Sequence, residues 1–465
     1  MTSTNSTSHY SVVVVGAGAA GISAAISAAK AGERVLLIDA GPFVGGELIS
    51  GMPVDGAINA RGEWILGGIP REFFEECERL QGSVGPINDH RLIYYYAFDP
   101  EVMKLAIVNV LAKYSVDLLL HTFVHGVKAE NGRIESITIL NKSGVSEIHA
   151  PVFLDCSGDG DLCAFAGASF LKGNEGKEFQ PISLMFRLSN VETEPLLDFA
   201  RKHPEHFAWG ESEAIRQGRT DQELAESLYQ QGHPAVFVKG TGPLMAKGIE
   251  AKEMFPTALI MIQPTSPARK EVCLNATRVA NVDATQTSAL CKTLPPLIEQ
   301  VLQCTKFLQK NLPGFENAHF SGLAPRLGIR ETRRIVGTYS LTGEEVLQAK
   351  KSEQGVAKGC HHVDIHQDGT GQVRIPVANG GSYDIPFGTL VPRDLKNVMM
   401  AGRCISADRE AHGTMRVMGS CMGMGQAIGL AAALCNQKNV SPHDLSIELL
   451  RSTLKEHGAI LDGVH

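Results

Sequence analysis

"VVVVGAGAAGISAAISAAKAGERVLLIDA", residues 12–40, runs through a strand, a glycine-rich turn, a helix and a second strand. Four successive valines read as a strand buried on both faces. Gly16, Gly18 and Gly21 then form G-x-G-x-x-G. The first glycine allows the tight turn, the second lets backbone come close to a pyrophosphate, and the third lets the helix pack against the strand. The N-terminus of the alanine-rich helix supplies unpaired N–H groups and positive partial charge. "RVLLID" is the second strand. Asp39 at its end lies 18 residues after Gly21, near the ~20 expected of a carboxylate that binds ribose hydroxyls. Glycine also marks ordinary strand–helix turns, but here strand, glycines, helix, strand and acid are in register, and together they read as a site for a dinucleotide.

A chain of 465 residues has room for two or three domains. With 43% hydrophobic and 20% charged residues it has the composition of a globular protein. The net charge of −7 and the lack of any long block of like charge argue against a nucleic-acid partner. "MTSTNSTSHY" at the start is polar and uncharged, and reads as a frayed lead-in, not a signal peptide. The longest apolar stretches belong to strands or to a small-residue helix near 424–435, so no membrane span is expected. Ten cysteines without C-x-x-C or C-x-x-x-x-C fit a reducing, cytoplasmic setting and argue against a disulfide relay.

After the opening unit, "DAGPFVGGELISGMP" is glycine-rich enough for close approach to a ligand, and residues 99–115 read as an amphipathic helix. Short strands broken by "ENGR" and "NKSG" follow as a β-meander feeding the apolar strand "VFLDCSGDGD". Residues 190–312 are charged and read as helical, with helical apolar spacing at 297, 298, 301, 302 and 308, interrupted by the strands "PISLMFRLS" and "EVCLNATRV". "RRIVGTYSLTGEEVLQA" reads as a strand and then a helix opened by a Thr342/Glu345 capping box. "YDIPFGTLVPRDLKNVMMAGRCIS" returns to a buried strand, and "MGMGQAIGLAAAL" is a helix of small residues. No internal repeat or low-complexity tract is present.

An NAD dehydrogenase would continue with further alternating βα units; here a meander intervenes, and the chain returns to the sheet more than 200 residues later. In that arrangement the chain resembles the FAD-binding domain of the glutathione-reductase-like superfamily. More narrowly, it is similar to the large FAD-dependent oxidoreductase family with a single nucleotide-binding domain. The matching stretches are "VVVVGAGAAGISAA", "FDPEVMKLAI", "VFLDCSGDGDLCAFAGA", "LGIRETRRIVGTYSLTGEEV", "IPFGTLVP" and "NVMMAGRCISADREAHGTMRVMGSCMGMGQAIGLAAAL". The resemblance implies an α/β fold: a Rossmann FAD-binding domain with a β-meander over 1–180 and 365–436, an inserted α+β substrate domain over 181–364, and a tail over 437–465 packed on the FAD domain. It also implies FAD contacts. Gly16, Gly18, Ala20 and Gly21 would cradle the pyrophosphate, Asp39 and Ala40 the adenosine ribose, and Gly45, Gly46 and Glu47 the pyrophosphate and ribitol. Val124 would offer its backbone to adenine. Gly158 and Asp159 would close over the cofactor where the family has "ATG" and this chain has "CSG". Gly402-Arg403 replaces the Gly-Asp of many superfamily members. Met424, Gly425 and Gln426 would open the helix whose N–H groups face the flavin pyrimidine and whose dipole stabilises negative charge on the reduced ring.

No second strand–G-x-G-x-x-G–acid unit follows residue 40, so no built-in NAD(P) domain is expected. Electrons must come from a small-molecule substrate or leave to an electron acceptor that the sequence does not identify. "CISADREAHGTMRVMGS" must pass the flavin and carries His412 and Arg416, candidates for proton transfer and for anion contact, against a loop histidine and an ion pair with Glu410 or Asp408. "PRLGIRETRR" holds Arg326, Arg330, Arg333 and Arg334 in nine residues. Either this is a strand salt-bridged to Glu331, or Arg330 or Arg333 clamps a substrate carboxylate. His361, His362 and His366 lie in "CHHVDIHQ". His361 is a candidate for handling a proton, and no metal is expected because no acid or cysteine geometry accompanies the three. Tyr383, Cys404 and Cys421 read as core residues. The function expected is hydride transfer at flavin N5 with a small, polar, anionic substrate held between the two domains. A non-redox isomerase or hydratase using FAD as scaffold, a flavin-dependent tRNA-modifying protein and a pure binding module are the competing classes, and a homo-oligomer is compatible with any of them.

Overall fold

Apolar runs without a polar break can be buried on both faces, and the parallel sheet they build is the centre of this fold. The structure is a computed structural model describing residues 10–174, 178–367 and 371–465; the lead-in at 1–9 lies outside the described residues. β1 (Val12–Val15), α1 (Ala19–Lys30) and β2 (Val35–Ile38) follow one another as the opening stretch requires. β3 (Val54–Ile58) leaves for a three-stranded antiparallel sheet with Tyr94–Phe98 and Ser83–Asn88. β4 (Asp117–Leu119), β5 (Val152–Asp155) and β6 (Val398–Met400) complete a five-stranded parallel sheet in the order β6-β5-β1-β2-β4. Val12 stands opposite both Val35 and Val152, and every residue of β1, β2 and β5 is buried.

The meander lies between β4 and β5 as antiparallel strands Phe123–Glu130, Arg133–Asn141 and Gly144–Ile148. Its first turn sits where "ENGR" places it, with Asn131 and Gly132 both at positive φ. The 99–115 helix spans Pro100–Lys113, with the Asp99 side chain accepting the Glu101 N–H at its start. The Thr342/Glu345 capping box is formed on the short helix Gly343–Leu347.

Residues 190–312 are less helical than their composition suggests. Helices at Thr193–Lys202, Asp221–Gln231, Pro243–Glu250 and Leu294–Asn311 pack around a five-stranded antiparallel sheet. The two expected strands are there, at Phe186–Ser189 and Glu271–Asn275, joined by His319–Leu323 and by two that the pattern hides. Val236–Lys239 is only four residues long, and Leu259–Ser266 carries Pro264, at which its register with Glu271–Asn275 shifts. In the 294–311 helix, Leu297, Val301 and Leu308 are buried, whereas Leu302 faces outward.

The small-residue helix, α2, spans Met418–Lys438 and so starts six residues before the expected 424. It is long and apolar enough to cross a membrane by length and composition, but its most apolar window is 94% buried inside the protein. Its small residues set its closeness to α1. A Cβ on Gly425 would lie 2.1 Å from the Ala20 carbonyl oxygen, and one on Gly429 2.2 Å from that of Ala24. Ser27 Oγ donates to the Gln426 carbonyl at 2.8 Å across the same seam.

Two buried apolar clusters result. The first holds the parallel sheet, α1, α2 and residues from Ile335 to Leu461; the second holds residues from Ile182 to Ala324 together with Ile87, Tyr95 and Ala97. The strand–helix approach gives a direct test of the first. A Cβ on Gly21 would fall 1.7 Å from the Gly16 carbonyl oxygen, with backbone on both sides. Gly21→Ala is therefore expected to destabilise the cofactor-free protein by at least the ~1–3 kcal/mol of ordinary overpacking. Denaturant titration checks this, and wild-type stability would show that α1 does not press on the turn.

Candidate active site

A cavity of about 860 Å³ lies where the parallel strands end, the edge of an α/β sheet at which ligands bind. One wall is built from the ends of β1, β2 and β5 and from the N-termini of α1 and α2, at Gly18–Ala20 and at Val417, Met418 and Cys421. Facing it are Ser183 and Met185 just before the strand Phe186–Ser189, Asn275 at the end of Glu271–Asn275, and the strap Pro325–Arg330. The strap is held by reciprocal bonds between Ser183 and Gly328, N–H to carbonyl, at 3.1 and 2.8 Å.

Neither helix N-terminus has a side-chain cap or an acid in its first turn. Two positive helix ends with unpaired N–H groups thus meet one cavity, and each favours a nearby anion by about 0.3–1 kcal/mol. The glycines divide into two kinds. Gly16 (φ +97°) is required by the fold, because its Cβ would fall 2.3 Å from the Cys156 carbonyl oxygen, and a Cβ on Gly46 (φ +56°) would fall 2.8 Å from the Gly18 Cα. Gly18 has an ordinary φ, and its Cβ would meet nothing within 4 Å. The protein itself has no use for a missing side chain there, whereas a ligand pressed against the backbone does.

The acids shape the turns. Asp39 Oδ2 accepts the Ala17 N–H and Oδ1 the Gly41 N–H, both at 2.6 Å, so this carboxylate ties the glycine turn to the loop after β2 while lining the cavity. Asp155, at the end of β5, accepts from Ser157 N and Oγ and from Cys163 N, which curls "CSGDGD" into its turn. Asp159 receives Thr332 Oγ1 at 2.8 Å and Arg403 Nη2 at 3.0 Å. That pairing gives Arg403 its place: it lies over Gly158, whose Cβ would be 2.7 Å from Nη2, and its Nη1 is buried without a partner. Burial lifts the Glu47 carboxyl above the usual range, and Arg326 pulls it back.

Of the residues singled out by sequence, Gly16, Gly18, Ala20, Asp39, Ala40, Gly46, Glu47, Val124, Gly158, Asp159, Gly402 and Arg403 line the cavity, and so do Arg330 and Arg416. Others do not. Gly21 packs against Gly16, and the Gly45 N–H binds the Ala17 carbonyl at 2.7 Å. Met424, Gly425 and Gln426 lie inside α2, because the helix starts earlier, and Val417, Met418 and Cys421 take the cavity-facing position. His412 is fully buried; it bonds the Arg403 carbonyl through Nε2 at 2.8 Å and is absent from the cavity wall. Arg333 turns to Asp161 at 2.7 Å and to the Asp159 carbonyl at 2.9 Å, a structural ion pair. Arg334 pairs with buried Glu331 at 2.6 Å. His361 stands behind the wall, its Nε2 3.9 Å from Asp55 Oδ2. His366 binds Asp364 at 2.9 Å, and Tyr383 is buried against Thr414. Among the described residues, the side chains that converge as metal ligands are His203, Glu205 and His206 on the second cluster's surface, not the three histidines of 361–366.

Arg330 is a cavity-wall arginine whose hydrogen-bond partners are both neutral. Its Nη1 donates to the Pro181 carbonyl at 2.6 Å and to Ser183 Oγ at 2.5 Å, and it forms no ion pair with a carboxylate among the described residues. Burial and the nearby Arg416 pull its pKa down to about 9, which leaves it charged at neutral pH. Arg416, by contrast, has Asp364 Oδ2 at 3.1 Å. Sequence reading missed Asp55, Ser183 and Asp364. An aspartate inside the apolar strand "PVDGAINA" was the available signal for Asp55.

A family model described as FAD dependent oxidoreductase matches residues 11–454. No curated protein matches the sequence. Among solved structures, the chain is similar to a geranylgeranyl bacteriochlorophyll reductase-like protein of Thermoplasma acidophilum (13% identity, 97% of this chain and 84% of that one, TM-score 0.47). It is also similar to the flavin-dependent brominase Bmp2 (12% identity, 97% and 83%, TM-score 0.47). The open space at Gly18 sets an expectation. Gly18→Ala should leave the cofactor-free protein within about 0.5 kcal/mol of wild type and weaken FAD binding by about tenfold or more. Reconstitution titrations of the apoprotein measure it; undiminished FAD affinity would show that nothing approaches Gly18.

Proposed function

The chain belongs to the FAD dependent oxidoreductase family, and from that premise we propose that it transfers hydride between flavin N5 and a small anionic substrate anchored by Arg330. FAD, the family's cofactor, supplies a two-electron donor and acceptor. In this reading Gly16, Gly18, Ala20 and the N-terminus of α1 hold the pyrophosphate, and Asp39, Ala40 and Val124 hold the adenosine end. Gly46, Glu47, Gly158, Asp159, Gly402 and Arg403 line the middle, and the N-terminus of α2 serves the flavin ring. The parallel sheet with a meander between β4 and β5 supports assignment to the glutathione-reductase-like type. The split into a FAD domain and an inserted substrate domain is retained, with the latter ending near 324, because residues from Ile335 on pack with the first cluster. Ten free cysteines support a cytosolic setting.

The observation that carries the anionic substrate is Arg330, a charged guanidinium on the cavity wall whose bonded partners are a carbonyl and a hydroxyl. A half-buried charge without a counter-ion carries a desolvation cost, and a substrate carboxylate relieves that cost with planar, bidentate geometry. Ser183 and Pro181 hold the guanidinium in orientation.

The test is anaerobic bleaching of the bound flavin by small 2-hydroxy carboxylates and by neutral and cationic compounds of the same size. Carboxylates are expected to bleach it fastest. Arg330→Lys should lower kcat/KM about 10²-fold or more with FAD content intact, since lysine cannot form the bidentate pair. Arg333→Lys, away from the cavity, should retain activity. A best substrate that is neutral or cationic, or a fully active Arg330→Lys, contradicts the proposal.

A further inference from the structure

Asp55 is a carboxylic acid on the cavity wall that no structural role absorbs. It lies on β3, and its side chain is only 18% exposed. Oδ1 is buried with no hydrogen-bond partner, and Oδ2 is 3.9 Å from His361 Nε2. Of the other acids of this wall, Asp39 is held by two backbone N–H groups, Asp159 by Thr332 and Arg403, and Asp161 by Arg333, while Glu47 lies in the field of Arg326, Arg403 and Arg330.

The surroundings decide which protonation state Asp55 holds. His361 Nδ1 is 2.8 Å from the His362 carbonyl, so Nδ1 carries the hydrogen and Nε2 turns a lone pair toward Asp55. Burial pulls His361 down to about 4, which keeps that ring neutral. Asp89 from the turn after Ser83–Asn88 and Asp364 from Val363–His366 add negative charge, while Arg91 and Arg416 offset it. A carboxyl that faces a lone pair and two acids, with no N–H donated to it, favours the protonated form. Burial, then Asp89 and Asp364, raise its pKa to about 8.

We propose that Asp55 is the proton-exchanging group of the site, passing a proton to and from the oxygen of a hydroxyl or carbonyl on the substrate carbon that undergoes redox. In oxidation the hydrogen of that carbon and its bonding pair would go to FAD, the two-electron acceptor this cavity would hold. The O–H proton passes to an Asp55 oxygen, and the C–O bond becomes C=O; reduction returns both. The substrate class is then a small hydroxy acid or the matching keto acid, its carboxylate at Arg330 and its oxygen at Asp55. This rests on the proposed reading of the cavity.

The experiment uses the FAD-loaded protein and sodium acetate, read by perturbation of the flavin absorption band from about pH 6 to about pH 10. Below its pKa Asp55 is neutral and tolerates an anion at Arg330; above it the carboxylate repels that anion. Acetate affinity is expected to fall by about tenfold or more as the pH passes about 8. Asp55→Asn is expected to move this fall up to about 9, where Arg330 loses its charge, and that displacement separates the two groups. In the same variant, bleaching by the best 2-hydroxy acid should slow by about 10²-fold or more while acetate still binds. Wild-type affinity that holds through about pH 8 and falls only near about 9 overturns the role of Asp55 alone, whatever the variant does. So does an Asn variant with the wild-type pH profile or bleaching rate. Acetate that binds at no pH removes the anion site, and with it both readings.

Discussion

The contact between α1 and α2 is the constraint on which the site depends. The helices lie at opposite ends of the sequence, and Gly425 and Gly429, one turn apart, admit the carbonyls of Ala20 and Ala24, also one turn apart. With a side chain at either glycine the backbones could not approach this closely, and the two N-termini would separate. Because they do approach, two uncapped, positively polarised helix ends open on one cavity at the edge of the parallel sheet. Packing thereby becomes electrostatics: a stripe of small residues sets where anionic groups are welcome.

Opposite those helix ends, the wall is charged in a graded way. Arg403 is balanced by Asp159 and Arg416 by Asp364, whereas Arg330 has neutral partners and Asp55 has an oxygen with none. Balanced pairs hold the frame, and Arg330 and Asp55 are left for a substrate. The same sorting separates Arg330 from Arg333 and Arg334, which are close in sequence but spend their charge on Asp161 and Glu331.

Much of this was legible in the chain. Residues 12–40 announced the strand–turn–helix–strand unit because four valines and three spaced glycines admit few other structures, and "ENGR" marked its hairpin turn. The rest depends on long-range placement. Nothing local shows that α2 begins at Met418 and not at 424, since "MGSCMG" is as compatible with loop as with helix until α1 packs against it. His412 looked like a loop histidine beside the ring, but it sits in the helix Arg409–Met415, which turns it toward the Arg403 carbonyl. Four-residue strands such as Val236–Lys239 are too short for a period, and the partners that make them strands lie elsewhere in the sequence. Asp55 was hidden for a related reason: its pKa is raised by burial and then by Asp89 and Asp364, which the fold alone brings to it.

The central claim is that one cavity, bounded by the N-termini of α1 and α2, holds FAD and leaves Arg330 facing the substrate. A crystal structure of the purified protein with its bound cofactor tests this most directly. The expected density has the two phosphates against the Gly18 backbone at the start of α1, and the flavin ring between the start of α2 and the Arg330 guanidinium. Phosphates placed away from Gly18, or a ring whose open face is turned from Arg330, would contradict it.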